Sequence, residues 1–97
     1  MNNIGFQAQI FKALGHPLRL KILKRLIDGE LCVCKLVDDT QFTQANLSQH
    51  LKILSNAGLI VKRKEGNFSH YRISDDEAIN LLNSCGILAS NYIKKLL

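Results

Sequence analysis

Thr43-Gln44-Ala45-Asn46-Leu47-Ser48-Gln49-His50-Leu51-Lys52-Ile53-Leu54-Ser55-Asn56-Ala57-Gly58 is the stretch that decides the fold of this chain. Leu47, Leu51 and Leu54 recur at i, i+4 and i+7, one apolar stripe of a helix. Thr43 precedes them as an N-cap, its hydroxyl able to accept from exposed backbone N–H groups. Gly58 ends them, because glycine accepts the left-handed conformation. Away from the stripe lie Gln44, Ala45, Ser48, Gln49 and Lys52, with Asn46 and His50 near its edges. Gln can bond adenine bidentately and Ser can serve several bases, and a helix N-terminus favours a nearby phosphate. One side of this helix is built for a core and the other for reading base edges.

Beyond Gly58 the pattern changes period. Residues 59–64 and 68–73 read as strands, with Glu65-Gly66-Asn67 as the hairpin turn between them. The hairpin carries Lys62, Arg63, Lys64, His70 and Arg72, cations that can reach backbone phosphates or a minor groove. Towards the N-terminus, Ile4, Ile10, Phe11 and Leu14 mark a first helix ending near Gly15. Pro17 suits the first position of a second helix, His16 caps or orients it, and Leu20, Leu23, Leu26 and Ile27 keep helical spacing up to Gly29. Leu31 to Asp38 fits a short third helix, followed by a turn through Phe42, whose ring is expected to point inward. Short, closely joined helices followed by a hairpin describe a winged helix-turn-helix. The class is mostly α (α+β), with about five helices and a two-stranded wing.

The last helix opens at Ser74-Asp75-Asp76-Glu77, a capping box with Ser74 as the cap and Glu77 reaching back. Along it, Leu82, Cys85, Ala89, Tyr92 and Leu96 alternate spacings of three and four, a heptad-like seam. A second copy of the same helix is the economical cover for it, giving a two-fold dimer.

Composition narrows the function. The 97 residues predict one domain over 1–97. Net charge is +5 and the isoelectric point about 9.3. No acid occurs between Asp39 and Glu65, where Lys52, Lys62, Arg63 and Lys64 fall with His50; this suits a polyanionic partner. Three cysteines do not make a disulfide framework. Residues 1–6 show no basic region followed by an apolar run, so a cytoplasmic protein with reduced thiols is expected, not attached to a membrane. There is no nucleophile elbow and no phosphate-binding glycine loop, so an enzyme is not expected, nor a required cofactor.

Two cysteines stand one residue apart in Glu30-Leu31-Cys32-Val33-Cys34-Lys35-Leu36. Thiolates prefer soft ions, and such a pair is poor for magnesium or calcium. On a regular helix, residues two apart point about 200° from each other. One ion is gripped by both only if the helix there unwinds or starts later. Cys85 is open to three readings: a small residue buried in the dimer seam, a further metal ligand, or a redox partner of Cys32 or Cys34. A disulfide needs Cα atoms within about 7 Å.

Several stretches together resemble the arsenic-repressor (ArsR/SmtB) family of bacterial winged-helix regulators. They are residues 13–23 (ALGHPLRLKIL), 30–36 (ELCVCKL), 47–54 (LSQHLKIL) and 57–60 (AGLI), with Arg63-Lys64-Glu65-Gly66 and Tyr71-Arg72. The resemblance covers nearly the whole chain. It implies a homodimer through the first and last helices, involving Ile4, Phe11, Leu82, Cys85, Ala89, Tyr92 and Leu96. It also implies binding of a palindromic operator in double-stranded DNA, and release by an inducer. Cys32 and Cys34 correspond to sensor ligands for a thiophilic metalloid or metal, arsenite first, with Cys85 as a further candidate. Thr43, Gln44, Asn46, Ser48, Gln49, His50 and Lys52, with Lys62, Arg63, Lys64, His70 and Arg72, are the corresponding DNA contacts. The chain departs from arsenite-responsive members in having Val37 where a third cysteine is common. It departs from cadmium- and lead-responsive ones in having no cysteine before Cys32. Two alternatives stand beside this reading. One is a repressor sensing oxidants or sulfane sulfur through Cys85 with Cys32 or Cys34. The other is a winged helix that binds protein or RNA without sensing.

Overall fold

The computed structural model describes residues 2–40 and 43–97, and of residues 38–40 the backbone alone. The expected turn into Phe42, and the inward placement of its ring, lie outside the described residues. In chain order the elements are α1 (Ile4–Leu14), α2 (Pro17–Leu26), β1 (Leu31–Cys32), α3 (Val33–Thr40), α4 (Gln44–Asn56), β2 (Ile60–Glu65), β3 (Phe68–Ile73) and α5 (Asp76–Leu96). This is a winged helix-turn-helix: α3 and α4 are its paired helices, α4 standing in the reading position, and β2 with β3 forms the wing.

Local signals account for most boundaries. The Thr43 hydroxyl accepts from the Asn46 N–H at 3.2 Å, capping α4. At the other end Gly58 takes φ 78. The Leu59 N–H bonds the Leu54 carbonyl and the Gly58 N–H bonds that of Ser55, a Schellman closure with Leu54 and Leu59 both buried beside it. Gly66, at φ 61, opens a two-residue turn that pairs Glu65 with Phe68. Its positive φ matches the twist of the flanking strands. The His16 ring accepts from the Leu18 N–H at 3.1 Å and caps α2, with Pro17 at its first position.

One core joins the elements. Ile22, Leu23 and Leu26 of α2, Leu36 of α3, and Leu47, Leu51 and Leu54 of α4 are its fully buried side chains. Leu59, Ile60 and Ile73 close it from the sheet, Ala13 from α1, and Ala78 and Leu82 from the start of α5. Truncating such a leucine to alanine typically costs roughly 2–5 kcal/mol. No helix among the described residues is long and apolar enough to cross a membrane.

Four expectations are corrected. The third helix spans Val33–Thr40, because Leu31 and Cys32 leave it to form β1. The sheet therefore has three strands, in the order β1-β3-β2, all antiparallel. Asp75, not Ser74, caps α5, accepting from the Glu77 N–H at 2.8 Å. Ser74 instead donates its hydroxyl to the Gly58 carbonyl at 2.6 Å, tying the sheet to the end of α4. Leu82, expected in the dimer seam, is 8% exposed and belongs to the core of its own chain.

Candidate nucleic-acid interface and thiol site

The exposed side of α4 carries Gln44, Ala45, Asn46, Ser48, Gln49 and Lys52, with Thr43 at its head. Its buried stripe fixes the rotation of the helix, so these polar side chains share a single open surface. His50 is not among them. It is 8% exposed, its ring centroid lies 4.6 Å from that of His16, and its Nδ1 is 3.4 Å from a guanidinium nitrogen of Arg19. The expectation of a base or phosphate contact from His50 is thus replaced by an interior role. Burial first, then the neighbouring His16 and Arg19, hold its pKa below the ordinary histidine value.

Arg19 is a residue the sequence reading passed over. It donates to the Ala13 carbonyl at 2.6 Å and the Lys12 carbonyl at 3.3 Å. Both are carbonyls of the last turn of α1, where the helix runs out of i+4 donors; that of Lys12 also accepts from the Gly15 N–H at 3.3 Å. One guanidinium thus links the end of α1 to the underside of α4. The signal was available in principle: an arginine just inside a helix that follows a helix-ending glycine.

In the wing, Lys62 and Lys64 alternate with Arg63 along β2 and are exposed. Arg63 is engaged. Its Nε and Nη2 donate to the Glu30 carboxylate at 3.1 and 2.5 Å, and its Nη1 to Glu65 at 3.0 Å. These bonds raise the Arg63 pKa and lower that of Glu30. His70 sits across from Arg63, with ring nitrogens 3.9 Å from Glu30 and 3.9 Å from Glu65. It faces carboxylates here, where a phosphate partner was expected. Arg72 is exposed further along β3.

The thiols meet at the joint between wing and helix. Leu31 and Cys32 pair with Tyr71 and His70 on β3, and α3 starts at the next residue. Cys32 consequently occupies the position where Ser or Thr usually caps a helix, with sulfur in place of oxygen. It accepts from the Cys34 N–H at 3.4 Å and from the Cys34 thiol at 2.6 Å. A helix that starts late, rather than one that unwinds, brings the two sulfurs together. The Cys34 thiol and N–H, the Lys35 N–H and the Lys35 charge lower the Cys32 pKa, as expected of a thiol at a helix N-terminus. Cys34, donating to Cys32 and losing hydration, has its own pKa raised. The two sulfurs are thus unequal, Cys32 the acceptor and Cys34 the donor.

Cys85 lies elsewhere, exposed on α5 beside an apolar hollow lined by Phe11, Leu14, Leu20 and Leu82. Among the described residues no group of three His, Cys, Asp or Glu side chains is placed to hold a metal. Within one chain, then, Cys85 does not complete a site with Cys32 and Cys34. Of the other expected interface residues, Ile4, Phe11, Tyr92 and Leu96 are 62–67% exposed, and Ala89 is exposed as well.

Comparison with known proteins agrees with this architecture. The family described as bacterial regulatory protein, arsR family, matches residues 16–62. An uncharacterized HTH-type transcriptional regulator of Methanocaldococcus jannaschii, MJ1325, is 46% identical over 76 residues, covering 77% of this chain and 85% of the relative. The arsenical resistance operon repressor of Bacillus subtilis is 45% identical over 76 residues, covering 77% and 72%. The solution structure of a homodimeric winged helix-turn-helix DNA-binding domain from Mycobacterium bovis, Mb0332, a possible ArsR-family regulator, aligns with a TM-score of 0.84. Identity there is 30%, over 90% of this chain and 81% of the other. On these similarities the chain belongs to the ArsR family of bacterial regulatory proteins.

Proposed function

We propose that this chain is a homodimeric transcriptional repressor that binds a palindromic operator and leaves it when a thiophilic metalloid, arsenite first, bonds Cys32 and Cys34. The observation that carries the reading is the contact between the two sulfurs at the β1–α3 joint. Thr43, Gln44, Asn46, Ser48, Gln49 and Lys52 would meet the major groove, and Lys62, Lys64 and Arg72 the flanking backbone. The exposed apolar side chains of α1 and α5, Ile4, Phe11, Leu88, Tyr92 and Ile93 among them, would close the dimer. Two copies of α4 then address two half-sites. A reducing cytoplasm keeps the thiols available.

An arsenic bridging the sulfurs closes a ring across the joint. Cys32 is held to the wing by β1–β3 pairing, and Cys34 lies in the first turn of the helix leading to α4. The ring therefore sets the angle between wing and reading helix, which a bound duplex must also set. Full reversal from 1:99 to 99:1 needs a preference of about 5.5 kcal/mol for the released form.

The test is release of a duplex, selected by the protein from a random pool, on titration with arsenite. Wild type should release it. Cys32→Ser and Cys34→Ser should retain it at the same concentration. Equal release by all three removes the thiols from the mechanism.

A further inference from the structure

Polar ties hold α1 to α4 at two separate points. The Gln9 side-chain amide donates to the Asn56 carbonyl at 3.2 Å, at the last residue of α4. Arg19 donates to the Ala13 and Lys12 carbonyls at the end of α1, and its Nη1 lies 3.4 Å from Nδ1 of the buried His50, midway along α4. A guanidinium has no acceptor, so the imidazole nitrogen accepts. From His50 to Asn56 is about 9 Å along the helix. Two ties at that separation fix the direction of α4 against α1 as well as its distance.

The opposite face of α1 is unoccupied within the chain. Ile4 and Phe11 share it and are 66% and 62% exposed, whereas Ala13, on the side of Gln9, is buried. In the dimer proposed above that outer face meets the partner subunit. One helix then carries both the contact with the partner and the bonds to the reading helix. Any tilt of α4 on α1 is doubled by the two-fold axis.

DNA makes such a tilt measurable. Half-sites repeat at about 34–36 Å or multiples of it. One added base pair moves a half-site by about 3.4 Å and turns it by roughly 35°. On an arm of about 34 Å, a tilt of roughly 6° covers that shift.

We infer that Arg19, supported by Gln9, is a positioning residue for operator recognition: by fixing α4 against α1 it sets the separation of the two reading helices, and so the number of base pairs between half-sites that the dimer accepts. This rests on the dimeric, palindromic reading proposed above. It assigns to a residue away from the DNA-facing side of α4 a share of sequence selection that no base contact supplies.

The experiment measures, by fluorescence anisotropy, affinity for the palindrome that the full-length protein selects from a random pool, for the same half-sites with one central base pair added or removed, and for a single half-site. Wild type is compared with Arg19→Lys and Gln9→Ala, singly and combined, and with Ile73→Val. Arg19→Lys keeps the charge and loses the planar fork. Gln9→Ala alters an exposed side chain, and Ile73→Val thins the core from the sheet side, clear of the joint. Wild type should favour the selected spacing on the order of tenfold or more. The combined variant should cut that ratio at least about fivefold, with Arg19→Lys alone carrying part of the loss, and should still sediment as a dimer. Ile73→Val should keep the wild-type ratio. Taking the ratio within each variant cancels any change in overall DNA affinity. An unchanged ratio in the combined variant, or an equal loss in Ile73→Val, overturns the inference and leaves the dimeric reading standing. A loss carried wholly by Gln9→Ala removes Arg19 from the role. A wild type indifferent to spacing overturns the inference as well, and if it binds the single half-site as tightly as the palindrome, the dimeric reading falls with it.

Discussion

Cys34 offers Cys32 two hydrogens, one from its thiol at 2.6 Å and one from its backbone N–H at 3.4 Å. The two sulfurs are chemically unequal as a result. Cys32 receives and its pKa is lowered; Cys34 gives and its pKa is raised.

Alkylation should reveal the inequality. In iodoacetamide labelling followed by mass spectrometry, Cys32 should react at lower pH than an ordinary cysteine and Cys34 only at higher pH. Cys34→Ala removes the thiol donor and should move the Cys32 profile upward. Two superimposed profiles in the wild type would contradict the assignment.

His50 makes stability depend on pH. Its folded pKa lies below the ordinary value of 6.5. As pH falls through 6.5 the unfolded chain takes up a proton that the folded chain refuses. The unfolded state then binds more protons, so stability declines with falling pH in that window and is fully present above it. Thermal unfolding from pH 7.5 to 5 should show a larger drop in Tm for wild type than for His50→Gln. Parallel curves would show that His50 does not carry this dependence.

Charge on the wing should divide into free and committed cations. Lys62→Ala or Lys64→Ala should lower the slope of log affinity against log salt by roughly 0.9 for each phosphate no longer neutralised. Arg63→Ala should change it less, since Glu30 and Glu65 already hold that guanidinium. Glu30→Gln should tighten DNA binding by releasing Arg63. Fluorescence anisotropy across a salt series measures all four. An Arg63 effect equal to that of the lysines would mean that the ion pairs open on DNA.

The outer half of α5 should govern assembly. Leu88 is 71% exposed and Ile93 56%, so a charge there leaves the core of the single chain intact. Leu88→Asp should sediment as a folded monomer with an unchanged circular dichroism spectrum. Its operator affinity should fall on the order of 10²-fold or more, as the two half-sites are no longer linked. A dimer of normal affinity would place the interface elsewhere.

What the sequence alone determined is what short-range rules govern. The Leu47–Leu51–Leu54 stripe, the Thr43 cap, the Gly58 stop and the Gly66 turn each depend on residues a few positions apart, and all are present as read. From these follow the reading helix, the wing and the fold class. Tertiary structure alone decided where the long-range pairings fall. Two residues cannot display a strand period, so Leu31–Cys32 is a strand only because β3 presents a free edge to Tyr71 and His70 partners. That pairing starts α3 late and brings the two sulfurs into contact. His50 shares the same logic. A polar residue at the margin of a helical stripe is inside or outside according to what packs there, and here His16 and Arg19 close over it.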